Sequence, residues 1–156
     1  MNKSTLYSVI KSVFTLVLLI SFAACSNSAS SEDDHDEEAE GFRLVMNGQT
    51  IVEQLPHQDL TGGIQLAPEE ETDLITIYFL DHDGEQFHPE DDDLSLGYEI
   101  TDENVVEFEQ HTEDGKWHFH LHGHSEGNTT IDLMMMHGTH SDFTAEDIPV
   151  QVIAVN

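Results

Sequence analysis

Positive charge is almost missing from this chain: four Lys and Arg residues stand against 32 Asp and Glu in 156 residues, a formal net charge of −28. Nucleic acid and anionic lipid head groups are thereby excluded as direct partners, since both require a cationic surface. Cysteine occurs once, at Cys25, so no intramolecular disulfide can form, and the thiol needs a cap in an oxidising compartment. No segment carries a sustained helical stripe. No Ser-His-Asp order, phosphate-binding glycine loop or paired buried carboxylates can be picked out, so the expectation is a protein that is not an enzyme. The longest apolar run, residues 13–20, is too short for a transmembrane helix, which needs about 20 apolar residues.

That run does have the form of an export signal. Lys3 and Lys11 precede it and Ser21-Phe22-Ala23-Ala24-Cys25 follows it, the charged, apolar and small-residue order of a signal peptide. Ala23-Ala24-Cys25 resembles the bacterial lipobox, with Phe22 where that motif usually has Leu. The resemblance implies that residues 1–24 are removed and that Cys25 becomes the lipidated first residue. It further implies anchoring in a membrane through more than one acyl chain, enough for stable attachment. Ser26 resembles an outer-membrane sorting signal and the acidic run from Glu32 resembles a surface-export tether. The expected location is the bacterial cell envelope, lipid-anchored at the outer membrane or the cell surface. Loss of residues 1–24 leaves Arg43 and Lys116 as the basic side chains. So negative a surface attracts cations, and it also keeps a protein solvated in high salt.

Residues 25–41 are expected to form a flexible acidic tether, because Ser, Asp and Glu with no large apolar side chain cannot offset the entropy of ordering. Residues 42–156 are expected to form one domain, all-β. Phe42, Leu44 and Met46, then Asn47-Gly48, then Thr50 and Val52 read as a hairpin with a two-residue turn. Further alternations fall at residues 74–80, 94–100, 105–108, 117–121, 131–135 and 150–154, which gives seven or eight short strands and suggests a sandwich. Asp81-x-Asp83-Gly84, Tyr98-x-Ile100-x-Asp102-x-x-Val105 and Gly127-x-Thr129-Thr130-Ile131 resemble features of bacterial immunoglobulin-like (group 2-like) domains. That resemblance implies an immunoglobulin-like β-sandwich and roles in display, spacing and adhesion. The histidines depart from it.

Residues 117–124 read Trp-His-Phe-His-Leu-His-Gly-His. In a strand, Trp117, Phe119 and Leu121 face the core while His118, His120, His122 and His124 line the other face, neighbours about 6 to 7 Å apart. Imidazole nitrogens bind zinc at about 2.0 to 2.1 Å, and neighbouring rings can converge on such a centre. If Ser125-Glu126-Gly127-Asn128 closes a hairpin, Asp132, Met134 and Met136 share the histidine face, and their thioethers favour cuprous copper. His137 and His140 add imidazoles beside Asp142 just beyond. The candidate ligands are therefore His118, His120, His122, His124, His137 and His140, and the candidate ion is zinc or copper. Two other readings of the row are a pH-responsive face, since histidines gain charge near pH 6.5, and a merely solvated one. Asp81-His82-Asp83-Gly84-Glu85 holds part of a calcium loop and reads as turn chemistry; His57 and His111 stand alone.

The expected function is capture or buffering of transition metal at the envelope, with hand-over to a metal transporter or a surface partner. The alternative is a structural or adhesive surface module. The first prediction concerns the anchor: the expressed protein is expected to incorporate labelled fatty acid and to gain acyl mass at Cys25. Cys25→Ala is expected to abolish both, as read by labelling and intact mass.

Overall fold

In the computed structural model, which describes residues 38–154, the alternating segments form strands, and there is no helix among the described residues. The signal segment, Cys25 and the tether up to Glu37 lie outside the described residues. The strands are β1 (Gly41–Met46), β2 (Gln49–Gln54), β3 (Thr61–Gly62), β4 (Ile64–Leu66), β5 (Ile75–Leu80) and β6 (Gln86–Phe87). They continue with β7 (Leu94–Ile100), β8 (Val106–Glu109), β9 (His118–Gly123), β10 (Gly127–His137) and β11 (His140–Val152).

Asn47 and Gly48 adopt φ of 54° and 74°, the double positive-φ turn that matches strand twist, so β1 and β2 form the expected hairpin with Met46 opposite Gln49. The first sheet runs β3-β2-β1-β5-β9-β8, with β6 added beside β5. The second runs β4-β11-β10-β7; β4 lies parallel to β11 and the other pairs are antiparallel. The Asp81 segment closes the β5–β6 turn: its Oδ1 accepts the amides of Asp83 and Glu85, each at 2.9 Å.

Alternation decides which face each strand buries. Leu44, Ile77, Phe79, Phe119 and Leu121 of the first sheet, with Ile131, Leu133, Ala145 and Ile148 of the second, have no exposed surface. Phe79 is the hub between layers. Its ring meets Trp117 edge-on at 5.2 Å and Phe143 of β11 at 5.8 Å, and Phe87 lies at 6.2 Å. Such tilted and edge-on contacts add to area burial.

The expected pairing of the 117–121 and 131–135 segments does not occur. β9 belongs to the first sheet and β10 to the second, so residues 124–126 carry the chain from one layer to the other and do not close a hairpin. The crossing is tied by the Ser125 hydroxyl, which donates to Asn104 O at 2.6 Å, and by the His124 amide, which donates to Val105 O at 2.9 Å. Since each sheet turns its apolar face inward, Asp132, Met134 and Met136 point away from the histidine row, on the opposite outer face of the molecule. Met136 lies across Gly97 of β7 instead.

Phe79→Ala is expected to destabilise the fold by about 3–5 kcal/mol, the cost of emptying a large aromatic site that neighbours cannot collapse into. Urea denaturation followed by Trp117 fluorescence measures it.

Candidate metal centre

Phe119 and Leu121 fix β9 to the core, and His118, His120 and His122, one residue out of phase, reach the outer face. Two neighbours frame this row. On one side β8 pairs with β9 so that Glu107 lies opposite His122 and Glu109 opposite His120. On the other, residues 69–72 run along β9: Glu69 N donates to Gly123 O, Gly123 N to Glu70 O, and Thr72 N to Leu121 O. Gly123 permits that approach, since a Cβ there would stand 2.5 Å from Ala67 O. Glu71 thereby lies across from His122 in an isolated bridge.

The histidines of β9 do not converge on one point. Each leans to a different set of neighbours, because alternate residues of a strand are held about 6 to 7 Å apart. His118 turns to His88, with ring centroids 6.2 Å apart, and its buried Nδ1 has no hydrogen-bond partner. His120 gathers with His111 and Glu71, and its Nε2 lies 3.7 Å from Asp114 Oδ2. His122 gathers with His124 and Glu107, and His124 Nε2 lies 3.1 Å from Glu107 Oε2. His137 and His140 belong elsewhere. They flank the Gly138-Thr139 turn between β10 and β11, with Asp142 between them, roughly 30 Å along β10 from its first residue.

Among the described residues three groups of two imidazoles and one carboxylate therefore form, and within each the donor atoms lie within 4.8 Å of one another. Their ring pairs are 5.7 Å apart for His111 and His120, 5.2 Å for His122 and His124, and 5.4 Å for His137 and His140. Two imidazoles sharing an ion at 2.0–2.1 Å place their centroids roughly 5 Å apart, so small rotations suffice in each group. The donors are nitrogen and oxygen, a set that suits zinc and cupric copper. The thioethers of Met134 and Met136 are not available to the β9 groups, because β10 lies in the other sheet and these side chains occupy its outer face. A cavity of about 300 Å³ lined by Tyr98, Ile100, Glu103, Glu107, Phe108 and His124 adjoins the second group where β7 and β8 border the two sheets.

Glu71, Glu107, His111 and Asp114 were not among the residues expected from the histidine pattern. Glu107 was within reach of the sequence, since Val106-Glu107-Phe108-Glu109 alternates as β9 does and sends its carboxylates outward. His111 and Asp114 sit in the loop between β8 and β9, and Glu71 precedes β5; only the fold brings them to His120.

His88 is an imidazole of a different kind. Its Nε2–H donates to Ile77 O at 2.8 Å, and its ring stacks on Tyr78 at 4.4 Å. Burial lowers its pKa below the ordinary histidine value; the bond to Ile77 opposes this, and His118 nearby lowers it further.

No protein-family model matches the chain, and no curated protein matches it. The solved S-layer protein rSbsC(31-844) is similar over 74% of this chain and 20% of its own length, at 12% identity and a TM-score of 0.42. The chain thus spans about a fifth of that protein's length, and a likeness at this level carries no weight on fold type or role.

Because the folded His88 takes up a proton at lower pH than the unfolded one, the unfolded chain holds more protons below about pH 6.5. Stability linked to His88 is therefore present above that pH and lost as pH falls through it. The advantage of wild type over His88→Gln in urea denaturation is expected to shrink from about pH 7.5 to about pH 5.5.

Proposed function

We propose that this is a lipid-anchored envelope protein with an immunoglobulin-like sandwich, which captures or buffers zinc or copper and passes it to a transporter or surface partner. The observation that carries this reading is the repeated two-imidazole, one-carboxylate group, found three times on the outer surface with donors already within 4.8 Å. Supporting it, 32 acidic residues supply a field that concentrates cations around those groups. The signal-like first 24 residues, Cys25 and the acidic run after it support the anchored placement; the two sheets over one core support the sandwich. The role is binding: the β9 groups lie on the outer side of their strand and the His137 group at a hairpin tip.

Exposed carboxylates also hold cations loosely, so the test must separate coordination from screening. Calorimetry of the purified protein with zinc at moderate salt is expected to show more than one site. Replacing one imidazole in each group, as His120→Gln, His122→Gln and His137→Gln together, is expected to leave weak binding that fades with added salt. A triple variant that binds zinc as tightly as wild type removes the metal reading and leaves the structural or adhesive module in its place.

A further inference from the structure

The three groups are not equivalent, and one carries features that the others lack. The His120 side chain is 15% exposed, against 39% for His124 and 69% for His140. Its Nδ1–H faces Thr72 O at 2.9 Å and Glu71 Oε1 at 3.3 Å. Both are acceptors, so Nδ1 is the donor to them and Nε2 is the nitrogen left to face an ion. A ligating histidine is oriented in this way, its other nitrogen donating to a backbone carbonyl or carboxylate that fixes the tautomer and raises basicity. Thr72 is itself held in place, since its hydroxyl accepts the buried Leu121 amide at 3.0 Å and its own amide donates to Leu121 O.

Nε2 points toward the β8–β9 loop. There the Asp114 amide donates to His111 O at 3.1 Å, closing a turn that brings both side chains over β9. Gln110 Nε2 donates to Lys116 O and His118 O, each at 3.0 Å, and ties the ends of that loop together. Asp114 Oδ2 stands 3.7 Å from His120 Nε2. Two ligands of a tetrahedral zinc ion lie roughly 3.3–3.6 Å apart, so this separation is close to the bound one.

We infer that His120 Nε2 and Asp114, with His111, whose ring lies 5.7 Å from that of His120, form a three-ligand site for a divalent ion of zinc type, in which Asp114 and not Glu71 supplies the carboxylate of this group. In this site Glu71 and the Thr72 carbonyl act on the Nδ1 side as orienting partners, not as ligands. The inference rests on the metal-capture reading and assigns its tightest site. Three protein ligands leave a fourth position for water or for a donor group of a receiving partner, the arrangement from which an ion can be released.

Cobalt(II) titration of the full-length protein, followed by visible absorption and then by competition with zinc, tests the assignment. Wild type is expected to give the intense visible bands of tetrahedral cobalt at its first equivalent. His111→Gln and Asp114→Asn, both on an accessible loop, are each expected to abolish those bands. His122→Gln, His124→Gln and His137→Gln are expected to keep them. Glu71→Gln is expected to retain the bands while weakening zinc by about 10- to 100-fold, the usual effect of losing an outer-shell partner. Bands that survive His111→Gln and Asp114→Asn but vanish in His124→Gln overturn this assignment and move the tight site to Glu107, leaving metal capture intact. Loss of the bands in Glu71→Gln as complete as in His111→Gln makes Glu71 a ligand and overturns the division of roles. A wild type that binds neither ion more tightly than the triple variant lacking one imidazole per group removes the capture reading and this site with it.

Discussion

The division of β9 into a buried side and an outer side governs everything that happens on this face of the molecule. Phe119 and Leu121 are without exposed surface, and Trp117 just before them is nearly so. Each such side chain contributes about 1.5–3 kcal/mol by leaving water, and together they hold the strand far more firmly than any imidazole contact does. The donors are thus carried by a backbone that does not depend on them. The imidazoles on this strand are not needed to hold it, because the fold is secured from the opposite side of the same pleat.

Around that strand the neighbours determine how ready each donor is. His120 is wedged between residues 69–72 and the β8–β9 loop, with one nitrogen committed to a backbone carbonyl. His137 and His140 stand at a two-residue turn with side chains about half and two-thirds exposed. A donor set whose rotamers are locked gives up less entropy on binding than one that must be gathered from solution. The same side-chain types thus form a graded series, from a held group in the first sheet to a looser one at the hairpin of the second.

Most strands and their faces were legible because period two is a strong signal, but β11, the longest, breaks that period between Ala145 and Ile148 and was expected only over residues 150–154, not from His140. Asn47-Gly48 announced its turn, and β5, β7, β8 and β9 fall close to the alternating segments. The two- and three-residue strands β3, β4 and β6 are too short for any period to register. Pairing was harder. Nothing local distinguishes a turn that returns a strand beside its predecessor from one that sends it to the facing sheet, and residues 124–126 do the latter. That single choice moved Met134 and Met136 to the opposite face and changed the donor chemistry from mixed sulfur and nitrogen to nitrogen and oxygen. The histidine row was visible as a pattern, but its division among three neighbourhoods was not, since His111, Asp114 and Glu71 reach His120 through loops.

The position of β11 has a consequence for how this molecule is made. It is the strand that joins β10 to β4, and its parallel register with β4 brings Gln65 to Gln151 across 86 positions of sequence. β10 and β4 do not pair with each other, so the second sheet is complete only with β11 in place between them. Contacts so distant in sequence must wait for a large loop to close, which slows folding relative to a chain of local hairpins. The joining of β4 to the rest of the second sheet therefore waits until residues 140–152 are in place.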